Sequence, residues 1–134
     1  MKEQYVYTIS PRLVAAILAL LAVAGCSTSD IRVDEVGLAH QSSPNYYNLL
    51  LEDPRVRVVD FSLPAGKTDN WHRHPHEAFY VLEAGTIRIH QRDGSYIDAT
   101  FRKGDVTSHE AWVHKVQNIG TSRFRAIIFE VIDN

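Results

Sequence analysis

The run Trp71-His72-Arg73-His74-Pro75-His76-Glu77-Ala78-Phe79-Tyr80-Val81-Leu82-Glu83-Ala84-Gly85 carries three of the chain's seven histidines within its first six residues. Side chains at i and i+2 of a strand share a face, so His72 and His74 aim their imidazoles into one space. Two ligands of one ion need that arrangement. Pro75 has no N–H to give a ladder, and the Pro75-His76 step is expected to bulge the strand. Beyond it Glu77, Phe79 and Val81 alternate with Ala78, Tyr80 and Leu82, so a strand with one buried face resumes. Two histidines and a carboxylate are the ligand set of metal sites that keep positions open for substrate. A His-x-His pair is also common on solvated strands, so the metal reading needs support from elsewhere in the chain.

The flanking sequence is a succession of short strands. Upstream, Arg55 to Leu63 alternates, with Arg57, Val59 and Phe61 on one side and Val56 and Val58 on the other. Downstream, Thr86 to Gln91 places Ile87 and Ile89 on one face, Asp93-Gly94 supplies the positive φ of a hairpin turn, and Tyr96 to Phe101 returns. Val106 to Ser108, Trp112 to Asn118 and Arg123 to Ile132 complete the set. Val36 to Asn45, with Gly37 and Pro44, reads as loop or a loose first strand. No helical period extends over ten residues, and glycine turns recur every 8 to 12 residues. The fold class is all-β, a small barrel or sandwich wide enough for one small ligand and not for a polymer.

The chain has 134 residues and a net charge of −2, with no basic patch or charge run, which excludes a nucleic-acid-binding surface of the usual kind. Lys2 and Arg12 precede the apolar run Leu13 to Ala24, which is too short to span a bilayer and suits a signal-peptide core. It ends in Val23-Ala24-Gly25-Cys26, which resembles the lipobox of bacterial lipoproteins, and Cys26 is the only cysteine. That resemblance implies a signal peptide over 1–25, lipidation of Cys26, membrane attachment and a tether and N-terminal segment over 26–45 ahead of the barrel domain at 46–134. Ser27 stands where an aspartate would mark inner-membrane retention, so the expected address is the envelope, facing the periplasm, with the outer membrane favoured. A lone cysteine allows no disulfide within the chain, which leaves stability to the core or to a metal.

Two spaced motifs give the domain a family likeness. Gly66, five residues, His72-Arg73-His74, Glu77 and Gly85 follow the order of the first motif of the cupins. Gly104 and His114-Lys115-Val116-Gln117-Asn118 follow the second. About twenty residues with a hairpin separate them, as in that family. The domain therefore resembles a small single-domain cupin, a double-stranded β-helix or jelly-roll barrel. Two departures stand out. Only two residues separate His74 from Glu77 where the family uses three or four, and the second motif lacks its proline, with Glu110 near that place. Aligning on Tyr80-Val81-Leu82 keeps Glu77 in the acidic role.

The resemblance implies one divalent metal on His72, His74, Glu77 and His114, inside a pocket to which Phe79, Val81 and Trp112 contribute. Imidazole and carboxylate donors suit Fe, Mn, Ni, Cu or Zn without choosing among them. His76 shares the parity of His72 and His74 and is the alternative third ligand. His90 and His109 read as surface or rim residues, and His40 lies outside both motifs. The family implies a homodimer paired through a barrel edge. Three function classes stay open: a metal-dependent oxygenase or isomerase acting on a small polar substrate, with Glu77 as the base if it is not a ligand; a non-enzymatic binder of a small molecule or metal; and a metal-free structural barrel.

Overall fold

The computed structural model describes residues 35–132. The signal segment, Cys26 and the tether up to residue 34 lie outside the described residues. Among those described, nine strands and one helical turn form two sheets. The helical turn α1 (Ala39–Ser42) precedes β1 (Tyr47–Glu52), β2 (Val56–Leu63), β3 (His72–His74), β4 (Glu77–Glu83), β5 (Gly85–His90), β6 (Tyr96–Phe101), β7 (Val106–His109), β8 (Trp112–Asn118) and β9 (Phe124–Val131). One sheet runs β1-β2-β9-β4-β7 and the other β3-β8-β5-β6. Their inner faces supply the core, as the strand periodicity dictates. Val59, Phe61 and Leu63 from β2 meet Val81 from β4, Ile87 and Ile89 from β5, Val116 from β8, and Phe124, Ala126 and Ile128 from β9. Each large apolar side chain so buried contributes about 1.5–3 kcal/mol.

Pro75 does more than bulge a strand. Without an N–H there, the ladder of β3 with β8 ends at His74, opposite Trp112. The chain then leaves the four-stranded sheet and enters the five-stranded one, where Glu77 opens β4 opposite His109 on one side and Glu130 on the other. The second crossing, back from β4 to β5, turns at Gly85. A Cβ there would stand 3.2 Å from the Phe124 Cβ, close enough that the Phe124 side chain would have to give by a few tenths of an ångström. Gly94 has φ +87°, the left-handed turn expected of the β5–β6 hairpin.

Folded structure begins upstream of Tyr46. Val36 and Ser43 are buried and Ala39 is fully enclosed, so the segment read as loop or loose strand carries the turn of α1 instead. It has a positioning role. Ser43 Oγ accepts the Asn70 N–H at 2.9 Å, and the Asn70 side chain donates to the Ser42 carbonyl at 2.7 Å. The loop that enters β3 is thereby fixed from outside the sheet.

Candidate metal centre

The register sets the centre. His72 lies directly opposite His114 in the β3–β8 pair, and His74 follows on the same face. The first and third histidines of the expected set, 42 residues apart in sequence, are thus cross-strand neighbours. Ring nitrogens of His72, His74 and His114 lie within 4.8 Å of one another, and all three side chains are buried.

The tautomers follow from the partners. His72 Nδ1 sits 2.8 Å from the Asn70 carbonyl, which can only accept, so Nδ1 carries the proton and Nε2 is bare. That bare nitrogen faces His114 Nε2 at 3.0 Å. Two nitrogens bound at right angles to one ion, each at about 2.1 Å, stand about 3.0 Å apart. On His74 the Nδ1–H donates to Glu130 Oε1 at 2.6 Å, and Arg57 donates to the other Glu130 oxygen at 2.7 Å. A ligating imidazole ordinarily gives its second N–H to a carbonyl or carboxylate, which fixes the ring and strengthens the donor. His72 and His74 meet that condition. His114 does not: its Nδ1 is buried without a partner among the described residues.

Burial keeps His72 and His114 neutral, the form a metal needs. Burial lowers the His72 pKa to about 3, with the neighbouring His74 adding to the effect. Burial also holds His114 well below the ordinary histidine value. Glu130 is pulled two ways. Desolvation raises its pKa, but the hydrogen bond from His74 and the Arg57 guanidinium outweigh that and lower it, leaving a carboxylate. Asp69 is pushed up to about 7 by burial against the Val116 N–H and Tyr47 hydroxyl that hydrogen-bond it. The Tyr47 hydroxyl donates to Asp69 at 2.7 Å and lies 3.4 Å from His72 Nε2.

Glu77 is buried at the same centre but on the far side of His74. Its Oε2 is 3.1 Å from His74 Nδ1, and its Oε1 accepts the Trp112 indole N–H at 2.9 Å. It groups with His74 and Glu130, whereas His72, His74 and His114 form the other group. Burial raises its pKa, against the opposing pull of His74. His76, the alternative ligand, points elsewhere: it is half-exposed and 3.4 Å from Glu110.

A cavity of about 40 Å³ adjoins the histidines, bounded by His74, Glu77, His114 and apolar side chains of both sheets. Phe79 and Trp112 line it as expected. Val81, the next inward position of β4, does not; it is fully enclosed in the core instead. His109 is a lining residue, stacked on Trp112 with ring centroids 4.7 Å apart, and Trp112 in turn packs edge-on to His114 at 4.0 Å. Sequence reasoning missed Tyr47, Arg57, Asp69 and Glu130. Arg57 and Glu130 left a signal, since each is a charged residue on the inward parity of an otherwise apolar strand.

The histidine set, the neutral state of His72 and His114, and the adjoining cavity are compatible with one metal ion. Comparison with known proteins gives the frame. A family model described as a cupin domain matches residues 59–130. No curated protein matches. Among solved structures, a cupin domain from Bordetella pertussis superposes with a TM-score of 0.58 at 21% identity, covering 63% of this chain and 90% of that one. A cupin family protein with a double-stranded β-helix fold from Methanocaldococcus jannaschii gives 0.53 at 15% identity, covering 64% and 78%. A protein with a double-stranded β-helix domain from Klebsiella pneumoniae gives 0.53 at 23% identity, covering 83% and 90%. At such identities these likenesses speak for the fold alone, but the family model spans more than half of the sequence: the chain belongs to the cupin superfamily.

Proposed function

We propose that this cupin holds one divalent transition-metal ion on His72, His74 and His114 and admits a small polar ligand through the cavity beside them. The observation that carries the proposal is the pair of facing nitrogens, His72 Nε2 and His114 Nε2 at 3.0 Å, with the outer nitrogen of His72 already committed to Asn70. Three neutral imidazoles leave the ion its full charge, and an ion so held supplies Lewis acidity or a binding position for oxygen. The chain's own part is to desolvate the site, orient the rings through Asn70 and Glu130, and shape the approach with Phe79, His109 and Trp112.

The competing account is a metal-free barrel in which one histidine donates its Nε2–H to the other. Metal analysis of protein refolded with Fe, Mn, Ni, Cu or Zn separates the two. We expect about one equivalent bound by the wild type and none by the double variant His72→Ala/His74→Ala. Equal metal content in both would remove the centre. Envelope attachment through Cys26 belongs to the proposal on sequence grounds alone. A Cys26→Ala protein should leave the membrane fraction, and its retention there would contradict the anchor.

A further inference from the structure

Two carboxylates press on the outer nitrogen of His74, and they are not equivalent. That nitrogen has one proton to give. Glu130 takes it at 2.6 Å, and Arg57 holds the other Glu130 oxygen in place. Glu77 Oε2 stands 3.1 Å from the same nitrogen yet receives no hydrogen bond among the described residues. Its other oxygen accepts the Trp112 indole N–H at 2.9 Å, which holds the carboxyl group at the cavity wall. The side chain is only 2% exposed and borders the cavity. A buried acceptor without a donor is costly, and a donor brought to it along the cavity wall would relieve that cost.

The rest of the wall narrows what can enter. Among the described residues no lysine or arginine lines the cavity, and Glu77 is its one carboxylate. A fully ionised oxyanion such as sulfate would bring acceptor oxygens and no donor to the Glu77 carboxylate. An amine, an azole, an alcohol or an amide would bring the missing donor.

We infer that Glu77 reads the bound molecule and does not ligate the ion: its Oε2 accepts an N–H or O–H carried near the atom that binds the metal. The site then selects small protic ligands with one coordinating atom and one donor. This rests on the metal reading above and deepens it. The grouping of Glu77 with His74 and Glu130, apart from His72 and His114, is the geometry behind it.

The test uses the protein loaded with Co(II), whose visible absorption reports what binds the ion. Imidazole and 1-methylimidazole are the probes, because both coordinate through one nitrogen and only the first keeps an N–H. Wild type and Glu77→Gln should take up cobalt with affinities within about threefold, since His72, His74 and His114 are all kept and Glu130 still takes the His74 Nδ1–H. Wild type should favour imidazole by on the order of tenfold, the worth of one hydrogen bond to a charged acceptor. In Glu77→Gln that ratio should fall towards one. Trp112 would keep the amide oxygen and turn the NH₂, itself a donor, into the cavity.

Loss of cobalt affinity in Glu77→Gln as severe as in His114→Ala would make Glu77 a ligand and overturn the inference. An imidazole preference that survives the substitution would assign the discrimination to the methyl group's bulk and overturn it too. A wild type that takes up no cobalt fails before any probe is added, and defeats the metal reading itself.

Discussion

Glu130 shows how much a single buried charge can organise. It is fully enclosed, bridges Arg57 on β2 to His74 on β3, and sets which nitrogen of His74 is free. Glu130→Gln preserves the shape and removes the charge, and should weaken metal binding by about 10–100-fold in competition with a chromophoric chelator. Asn118 plays the matching part away from the metal. Its amide donates to the Leu63 and Ser122 carbonyls and accepts the Gly120 N–H, tying three segments together. Asn118→Ala should cost about 3 kcal/mol in urea denaturation, because it strands buried backbone groups. The second cupin motif's asparagine is therefore a structural residue here. At this scale the sequence is legible where parity speaks. His72 and His74 are two apart on one strand, and Glu130 betrays itself as a charge in a row of inward apolar residues. Tyr47 and Asp69 are not legible. They meet across 22 residues, and Asp69 sits in a loop where no period tells a side chain which way to face.

Elements divide by what limits them. β2 and β9 pair over eight consecutive residues, and their inward positions are those that alternation assigns. Leu63, at the end of β2, has no exposed surface, so Leu63→Ala should lose about 2–5 kcal/mol by the same denaturation assay. β3 is the opposite case, only three residues long because Pro75 stops its ladder. A proline between two strand-like runs suggests a bulge or a break, and sequence cannot say that the chain changes sheets there. That crossing is what carries Glu77 to the far side of His74. The β5–β6 hairpin offers a clean backbone test. Among the described residues nothing lies within 4 Å of a Cβ built on Gly94, so Gly94→Ala should cost only the left-handed backbone penalty, about 1–2 kcal/mol, with metal content unchanged.

At the scale of the domain, residues 35–132 are two sheets joined at their inner faces, and the centre lies on the seam. His72, His74 and His114 belong to the four-stranded sheet, while Arg57, Glu77 and Glu130 belong to the five-stranded one. An ion on the three rings should therefore raise the stability of the whole barrel and not of one strand. At 100 times its Kd, a ligand that binds only the folded state adds about 2.7 kcal/mol, so chelation should lower the melting temperature by on the order of 10 °C. No shift on chelation of an ion-loaded sample would mean that the ion sits outside the seam. Trp112 gives this molecule a built-in optical gauge. Its indole is edge-on to His114 at 4.0 Å and hydrogen-bonded to Glu77, so arrival of a paramagnetic ion such as Cu²⁺ or Ni²⁺ should quench its emission. Trp71, whose ring has the side chains of Arg92 and Lys115 over it at 5.4 and 5.3 Å, supplies the steady background against which that dimming is read.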